Sequence, residues 1–231
     1  MRREKSFSIT YRFLFESGEE KVFDLKIDSI TLTLLNDFGE EPPEWTRVEH
    51  IRCDSCTTGE TYCRLAKTIG SFIKQFDKIP SFEKVKVSVE TEQRTYYKET
   101  SLQAGVGGIF GILMTTSGCP VLGRLKPMVR YHLPFADIEE TEYRVFSMYM
   151  LAQYFRMKKG LKPDMEMEEL RATYEEIIRI NQRIANAIAD LEKMDASINA
   201  VVALNNFADS VTFTLDEKLE DIERLFENWM V

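Results

Sequence analysis

SFSITYRFLF, residues 6–15, is the stretch that decides the fold of the N-terminal half. Apolar and polar residues alternate along it, so five large side chains share one face of a strand: Phe7, Ile9, Tyr11, Phe13 and Phe15. The segment 17–20 contains Ser-Gly and is typical of a turn, and the alternation resumes at residues 22–27 and 30–34. Together these segments predict an antiparallel meander.

Two further patterns complete the N-terminal half. A helical stripe of apolar residues follows residue 63 and predicts a helix that covers the sheet: Leu65, Ile69, Phe72, Ile73 and Phe76. Residues 84–101 alternate again on both sides of the polar Glu92-Gln93-Arg94, which predicts a second hairpin. Residues 1–100 are therefore expected to mix α and β structure.

From residue 101 onward the chain is predicted to be helical, because helix start signals recur. The signals are Thr100-x-x-Gln103, Asp137-x-x-Glu140, Asp164 after Pro163, and Thr214-x-x-Glu217. The glycines at 105–108 are expected to allow close packing of the first helix. The predicted fold class is α+β: an N-terminal antiparallel sheet with a covering helix, followed by a mainly helical C-terminal half. We expect a mixed lobe at 1–100 and a helical lobe at 101–231, folding as one cooperative unit.

The helix expected from about residue 165 carries a regular apolar seam that includes one Asn. Its seam residues are Leu170, Tyr174, Ile177, Asn181, Ile184, Ile188 and Leu191. This spacing also occurs in dimeric coiled coils. Flanking apolar residues, however, widen the face to that of a helix buried within its own chain: Ile178, Ile180, Ala185 and Ala187. Intramolecular packing is the favoured interpretation, and a homodimer through Asn181 is the alternative.

Composition and charge limit the function classes. The chain has 231 residues, of which 44% are hydrophobic and 29% charged, and its net charge is −8. The negative charge disfavours a general affinity for nucleic-acid phosphates or an anionic membrane. The longest apolar segment, Ala104 to Met114, is shorter than the ~20 residues that span a bilayer. Without a signal-peptide pattern, we expect a cytoplasmic protein with no nucleic-acid or membrane partner; a protein partner stays open.

Three of the four cysteines lie close together in the sequence. Cys53-Asp-Ser-Cys56 places two thiols on what we expect to be a tight turn, from which both sulfurs can bind one ion. Cys63 can add a third ligand as the chain enters the predicted covering helix. In a reducing compartment this spacing indicates metal ligands or reactive thiols rather than disulfides.

The fourth cysteine, Cys119, has a sequence context that favours a thiolate. Gly118 permits a sharp bend, and Pro120 suits the first residue of a helix. At a helix N-terminus, backbone N–H groups and the helix dipole are expected to lower the thiol pKa. If the two segments meet in space, the predicted metal ligands are Cys53, Cys56, Cys63 and Cys119.

Four thiolates bind either a zinc ion or an iron–sulfur cluster. Zinc is the first choice, because Cys-x-x-Cys turns commonly pin a loop around it. An iron–sulfur cluster is the alternative, indicated by the Cys-Pro dipeptide, the apolar stretch 109–114 and the hydroxyls of Thr115, Thr116 and Ser117. These hydroxyls can equally be polar residues of a helix end. The cysteines can also be small buried apolar residues, although Cys53 and Cys56 stand among polar neighbours.

Other ligand and enzyme interpretations rest on fewer residues. His50 or His132 can replace a cysteine as a ligand, but His132 is more typical of a hydrogen-bonded structural histidine. Thr116-x-x-Cys119 is similar to the reactive-cysteine motif of the thiol peroxidases, yet Ile112 stands where that family has a proline. A thiol enzyme that uses Cys119 is therefore a third hypothesis, and no catalytic residue is assigned.

A resemblance extends over nearly the whole chain. It rests on Cys53-x-x-Cys56, Ser117-Gly118-Cys119-Pro120, residues 130–135 (RYHLPF) and residues 151–155 (LAQYF). Together these segments resemble an uncharacterised bacterial family known only as a domain of unknown function. The resemblance implies one full-length unit and no particular chemistry. The residues themselves favour a metal-binding structural or adaptor protein, ahead of an iron–sulfur redox or sensor protein and a thiol enzyme.

Overall fold

The alternating segments form a four-stranded antiparallel sheet in the order β2-β1-β3-β4. Its strands are β1 (Ser6–Phe15), β2 (Glu20–Asp28), β3 (Lys84–Glu90) and β4 (Thr95–Ser101). The computed structural model describes residues 5–36, 41–56, 59–76, 79–189, 195–217 and 219–230. The predicted apolar face of β1 is confirmed, because its five alternating side chains are all buried.

The third strand predicted at residues 30–34 is wrong. A single bridge pairs Ile27 with Leu34, and Leu32 adopts a positive φ of 51°. Asp28 explains the turn, since its carboxylate accepts hydrogen bonds from the backbone N–H groups of Ile30 and Thr31. This local carboxylate–backbone bonding competes with strand pairing.

The eight α-helices of the described residues follow in the same chain. They are α1 (Val48–Ile51), α2 (Arg64–Ile73), α3 (Leu102–Thr116), α4 (Lys126–Arg130), α5 (Ile138–Lys158), α6 (Glu168–Ala189), α7 (Asp195–Glu217) and α8 (Leu219–Glu223). Short 3-10 turns lie at Glu44–Thr46, Lys74–Phe76, Leu122–Leu125 and Arg224–Trp229. The α+β class, with its sheet, covering helix and mainly helical C-terminal half, is confirmed.

The predicted covering helix is α2 with the 3-10 turn that follows it. Phe72 and Phe76 pack on Phe23 of β2, with ring centroids 4.8 and 5.4 Å apart. Phe76 also meets Phe13 of β1 edge-on at 5.4 Å. This aromatic cluster closes one end of the sheet face, and burial of such large rings is a major stabilising contribution.

Helix α3 lies between the sheet and α7, and its glycines bring it close to β1. A Cβ atom on Gly105 would lie 2.6 Å from Phe13 Cε1, and one on Gly108 would lie 2.7 Å from the hydroxyl of Tyr11. Neither distance is possible between real atoms, so a larger residue would push the helix off the sheet. The expectation of close helix packing at these glycines is confirmed.

The predicted helix starts agree with the observed ones to different degrees. Asp137 and Glu140 form a complete capping box at the start of α5. Asp164 accepts hydrogen bonds from the N–H groups of Glu168 and Glu169, although α6 is regular only from residue 168. The start predicted at Thr214 is wrong, because Thr214 lies inside α7 and donates its hydroxyl to the buried Glu142 of α5.

The seam of α6 is buried within its own chain. Helix α7 is its main neighbour, and the seam residues from Leu170 to Ile188 are all less than a tenth exposed. Leu191 lies outside the described residues. This face of α6 is therefore packed within its own chain.

Buried side chains from residues 1–100 and 101–231 form one continuous cluster. That the two lobes unfold cooperatively stays a prediction. Within the described ranges, none of the helices has the length and apolar character that crossing a membrane requires.

Candidate functional site

The four cysteines lie around one cavity of about 480 Å³. The cavity is bounded by the loop after α1, the start of α2, the turn after α3 and one face of α6. Its apolar wall comes from these elements: Ile51, Leu65, Val121, Ile180 and Ile184. All four thiols are free and half-buried. The structure therefore brings Cys119 to the segment that carries Cys53, Cys56 and Cys63.

Cys63 is the residue that precedes the first turn of α2. Its position is fixed because its backbone N–H donates to the carbonyl of Thr46 at 2.8 Å. The N–H groups of Leu65 and Ala66, in the first turn of α2, act to lower the pKa of the Cys63 thiol, although its side chain forms no capping hydrogen bond. These N–H groups have no partner within the helix, so they are available to stabilise a negatively charged sulfur.

Cys119 repeats this arrangement at the turn after α3. Gly118 adopts φ +92°, in the left-handed region where glycine carries no steric cost. A Cβ atom there would also lie 3.2 Å from Arg64 Cδ, so glycine leaves room for the arginine. The N–H groups of Val121 and Leu122 act to lower the pKa of the Cys119 thiol, as those of the residues two and three positions later do at Cys63.

Cys53 and Cys56 lie on the predicted tight turn. The N–H of Cys56 donates to the carbonyl of Cys53 at 3.0 Å. Arg183 of α6 reaches this turn: its guanidinium donates to the carbonyl of Arg52 and lies 3.6 Å from the Asp54 carboxylate. The turn is thus held against α6 as well as against the start of α2.

Burial sets the protonation state of three of the thiols. Burial first, and then the negative charge of the other three thiolates, raises the pKa of Cys53 to about 11. Burial also raises the pKa of Cys63 and of Cys119, although the N–H groups at each sulfur act in the opposite direction. The expectation that the helix end lowers the Cys119 pKa is wrong, since burial outweighs a short 3-10 turn.

The cysteines share the cavity without forming a tight sulfur cluster. Among the described residues, the group of three or more ligand atoms lying within 4.8 Å of one another is Glu44, Glu49 and His50, at the exposed surface. No three of the four described cysteine sulfurs meet that distance. The described sulfurs therefore do not have the mutual spacing of about 4 Å that one zinc ion requires.

Neither histidine lines the cysteine cavity. His50 is exposed beside Glu44 and Glu49, with nitrogen–oxygen distances of 3.9 and 3.7 Å. His132 lies elsewhere in the fold, where its Nε2 is 2.6 Å from the Tyr11 hydroxyl. Burial lowers the pKa of His132 to about 3, so the ring is neutral. The interpretation of His132 as a hydrogen-bonded structural histidine agrees with this geometry.

Two of the hydroxyls near Cys119 belong to the helix end. Thr116 donates to the carbonyl of Ile112, and Ser117 donates to the carbonyl of Met114, each at 2.7 Å. Ser117 also accepts the N–H of Cys119 at 3.3 Å. These two side chains hold the turn that carries Cys119, and their hydroxyl protons are already committed to backbone carbonyls.

Two arginines of the cavity were not predicted from the sequence. Arg64 lines it from α2 and pairs with Glu60, and Arg183 lines it from α6. Arg64 directly follows Cys63, so its proximity was readable from the sequence. Arg183 had no such signal, because only the packing of α6 brings residue 183 to the Cys53–Cys56 turn.

The fold and the cavity define an α+β protein with four half-buried thiols around one cavity. The chain belongs to the family described as Domain of unknown function (DUF6901), whose family model matches residues 9–227. The resemblance to a family known as a domain of unknown function is thereby confirmed. Comparisons with curated proteins and with solved structures give no match.

Proposed function

We propose that this protein is a metal-binding protein in which Cys53, Cys56, Cys63 and Cys119 hold one metal centre. The observation that carries the proposal is the shared cavity, whose thiols come from two segments far apart in the sequence. Unbonded thiols gain little from being gathered, and thiolates repel each other without a cation. A metal centre supplies the positive charge that such a set of thiolates requires.

The surroundings of the cavity support an anionic metal–thiolate centre. Backbone N–H groups act to lower the pKa of the Cys63 and Cys119 thiols, and N–H groups beside a sulfur stabilise thiolate ligands. Four thiolates with one Zn²⁺ carry a net charge of about −2. Arg64 and Arg183 line the cavity and offset negative charge there.

The spacing of the sulfurs favours an iron–sulfur cluster as the occupant. In a zinc tetrahedron with Zn–S bonds of ~2.3 Å, all four sulfurs lie about 3.8 Å apart. In a four-iron cluster each thiolate binds a different iron, so the sulfurs lie farther apart, roughly 6–7 Å. With no three described cysteine sulfurs within 4.8 Å of one another, a zinc tetrahedron is not preformed, and the cavity of about 480 Å³ offers room for an occupant larger than one ion.

A zinc ion that pins the loop is the second candidate. The hydrogen bond from Cys56 to the Cys53 carbonyl forms the tight turn found in zinc knuckles. In this role the metal would act as a structural cross-link between residues 53–63 and the turn after α3, in a binding or adaptor protein. For zinc to bind, the sulfurs must move together.

A cluster in this position fits a redox or sensor role better than an enzyme role. All four cysteines are half-buried, so the cavity is open to small oxidants. A thiol enzyme is less favoured, because burial raises the pKa of Cys119 and keeps its sulfur protonated, whereas a nucleophilic cysteine needs the thiolate.

The test is metal and sulfide analysis of the full chain purified without oxygen. We expect a brown protein that absorbs near 400 nm and contains about four irons and four sulfides per chain. Binding should also release protons, because thiols with raised pKa values must ionise to bind metal. The Cys119→Ser variant should lose the cluster, whereas Ser55→Ala, on the same cavity wall, should keep it.

Other outcomes separate the alternatives. A colourless protein with about one zinc per chain that Cys119→Ser abolishes would establish the second candidate and overturn the cluster. A chain that stays free of metal after anaerobic reconstitution with iron and sulfide, and after incubation with zinc, would overturn the metal-binding proposal as a whole.

A further inference from the structure

A second cavity, of about 410 Å³, lies where α3, α7 and the segment 125–136 meet. No described residue lines both this cavity and the cysteine cavity. Its size falls within the range of small-molecule sites, which is roughly 300–1,000 Å³. An inference drawn from it is therefore independent of the proposed metal centre.

The walls of this second cavity are largely apolar. Helix α3 contributes Gly107, Gly108 and Gly111, which leave a groove along the helix, and α7 contributes Leu204 and Phe207 opposite them. A Cβ atom on Gly111 would meet nothing closer than Leu204 Cδ2 at 4.0 Å. At Gly111 the groove therefore has room for a small side chain in van der Waals contact with Leu204.

One charged side chain of the cavity has no carboxylate partner. Arg144 of α5 donates to the backbone carbonyls of Met128 and Tyr131, at 3.1 and 3.0 Å. No ion pair joins Arg144 to an acidic residue anywhere in the described ranges. Burial lowers the pKa of this half-buried arginine, although the Glu140 carboxylate, one turn earlier on α5, acts in the opposite direction. An anion in the cavity would add a second, direct partner for that charge.

A tyrosine hydroxyl of the cavity lies within electrostatic reach of this cation. Tyr174 of α6 lines the cavity and is 5% exposed, and the charge of Arg144 acts on its phenol group. Its hydroxyl makes no hydrogen bond with any residue that the structure describes. It can therefore donate a hydrogen bond to an acceptor oxygen of a ligand in the cavity.

The same cavity carries further polar groups and a strained residue. His132 lines it, and the bond to Tyr11 uses only Nε2 of the ring. Lys98 is 5.8 Å from the centre of the Phe135 ring. Phe135 adopts φ +63°, a conformation that costs free energy for a bulky residue and clusters at binding sites.

We propose that this cavity binds a medium-chain fatty acid, with the carboxylate at Arg144 and Tyr174 and the alkyl chain along the glycine face of α3. Arg144 and Tyr174 donate two hydrogen bonds to one carboxylate, which compensates the cation and the phenol together. The alkyl chain lies in the cavity along the glycines of α3 and against Leu204 and Phe207, which removes apolar surface from water.

The experiment titrates dodecanoate, below its critical micelle concentration, into the full-length protein by calorimetry. Dodecanol and acetate serve as probes that lack the charge or the chain. We expect dodecanoate to bind more tightly than dodecanol and acetate not to bind. Tyr174→Phe, which keeps the ring, should weaken dodecanoate binding about 5- to 10-fold. Gly111→Leu should abolish binding because its side chain fills the groove.

The matched control is Gly123→Leu. A Cβ atom on Gly123 also meets nothing closer than 4.0 Å, but this residue lies outside the cavity, so its variant should bind as the wild type does. Equal dodecanoate affinity in folded Gly111→Leu and Gly123→Leu would overturn the proposal. Equal affinity for dodecanol and dodecanoate would also overturn it, as would an unchanged affinity in Tyr174→Phe, which needs no new side-chain volume.

Discussion

The two cavities differ in how their polar groups reach them. Around the cysteine cavity, three of the four thiols come from one short segment, and each thiol lies on a local turn or at a helix start. Around the second cavity, Tyr174, Arg144 and His132 come from three different parts of the helical half. The thiols of the first cavity are thus placed largely by local sequence, whereas the polar groups of the second are placed by packing, as Arg183 is in the first.

The electrostatics of the two cavities are opposite in sign. The first gathers groups that become negative when they ionise, and burial keeps Cys53, Cys63 and Cys119 protonated by raising their pKa. The second holds the cation Arg144, whose pKa burial lowers. A cation is therefore the natural ligand of the first cavity and an anion that of the second. Mutations that affect one cavity and spare the other test whether the two are independent.

The largest effect is expected from Gly108→Val. The added side chain collides with the Tyr11 hydroxyl, which lies 2.7 Å from the ideal Cβ position, and Tyr11 is fully buried. We expect a loss of about 3 kcal/mol in the free energy of unfolding, measured by urea denaturation. Gly111→Ala, on the same helix with open space at its Cβ, should change stability by less than about 1 kcal/mol. Equal losses in both variants would contradict the close packing of α3 on β1.

The next effect concerns the pH dependence of His132. Its pKa in the folded protein is lowered to about 3 by burial and the Arg144 charge, so between pH 3 and about 6.5 the unfolded chain binds a proton that the folded chain does not. Stability is thus fully present above pH 6.5 and is lost as pH falls. From pH 7.5 to 5.0 this one group should remove about 2 kcal/mol.

His132→Gln isolates that contribution, because glutamine retains a polar contact for Tyr11 and does not titrate. The wild type should lose about 2 kcal/mol more than this variant between the two pH values, by urea denaturation. His50→Gln, at the exposed surface, should behave as the wild type does. Identical pH profiles for the wild type and His132→Gln would show that His132 does not titrate as its burial requires.

Sequence periodicity predicted the sheet because the alternation that buries one face of a strand can be read within a single segment. Alternation put Phe13 and Tyr11 on one face, and burial of that face is what stabilises the sheet. Periodicity failed at residues 30–34, where the Asp28 carboxylate binds the backbone N–H groups that a strand would use. It also failed at Thr214, whose apparent cap motif lies inside α7 because Glu142 of another helix accepts its hydroxyl.

For the candidate sites, too, local patterns could be predicted from the sequence and tertiary packing could not. Cys-x-x-Cys spacing and the Gly118-Cys119 bend singled out four thiols, and folding brings them to one cavity. The distances between their sulfurs could not be predicted from the sequence, since they depend on how α6 and α2 close the cavity. Tyr174 was assigned to an apolar seam, and no pattern in the sequence distinguished a seam residue with an unpartnered hydroxyl from one that only packs.

A smaller effect is expected at the start of α5, the helix that carries Arg144. Asp137 accepts the N–H of Glu140 at 2.8 Å, and Glu140 accepts the N–H of Asp137 at 3.0 Å. Asp137→Ala removes one side of this capping box and should cost about 1 kcal/mol by urea denaturation. Asp137→Ser keeps an acceptor and should lose less. If both variants match the wild type, the capping box contributes nothing measurable.

The smallest effect on stability is expected from Arg183→Ala, at the wall of the cysteine cavity. Its contact with Asp54 spans 3.6 Å between a half-exposed arginine and a largely exposed aspartate, and pairs of this kind contribute less than about 1 kcal/mol. The local effect should be larger, because Arg183 also holds the Cys53–Cys56 turn through the Arg52 carbonyl. In metal-free protein, iodoacetamide should therefore alkylate Cys53 and Cys56 a few times faster in this variant, by mass spectrometry. Arg179→Ala, one turn earlier and exposed, should leave those alkylation rates unchanged. If Arg179→Ala accelerates alkylation as much as Arg183→Ala does, the cause is a general loss of positive charge along α6. The contact of Arg183 with the turn would then not be the cause.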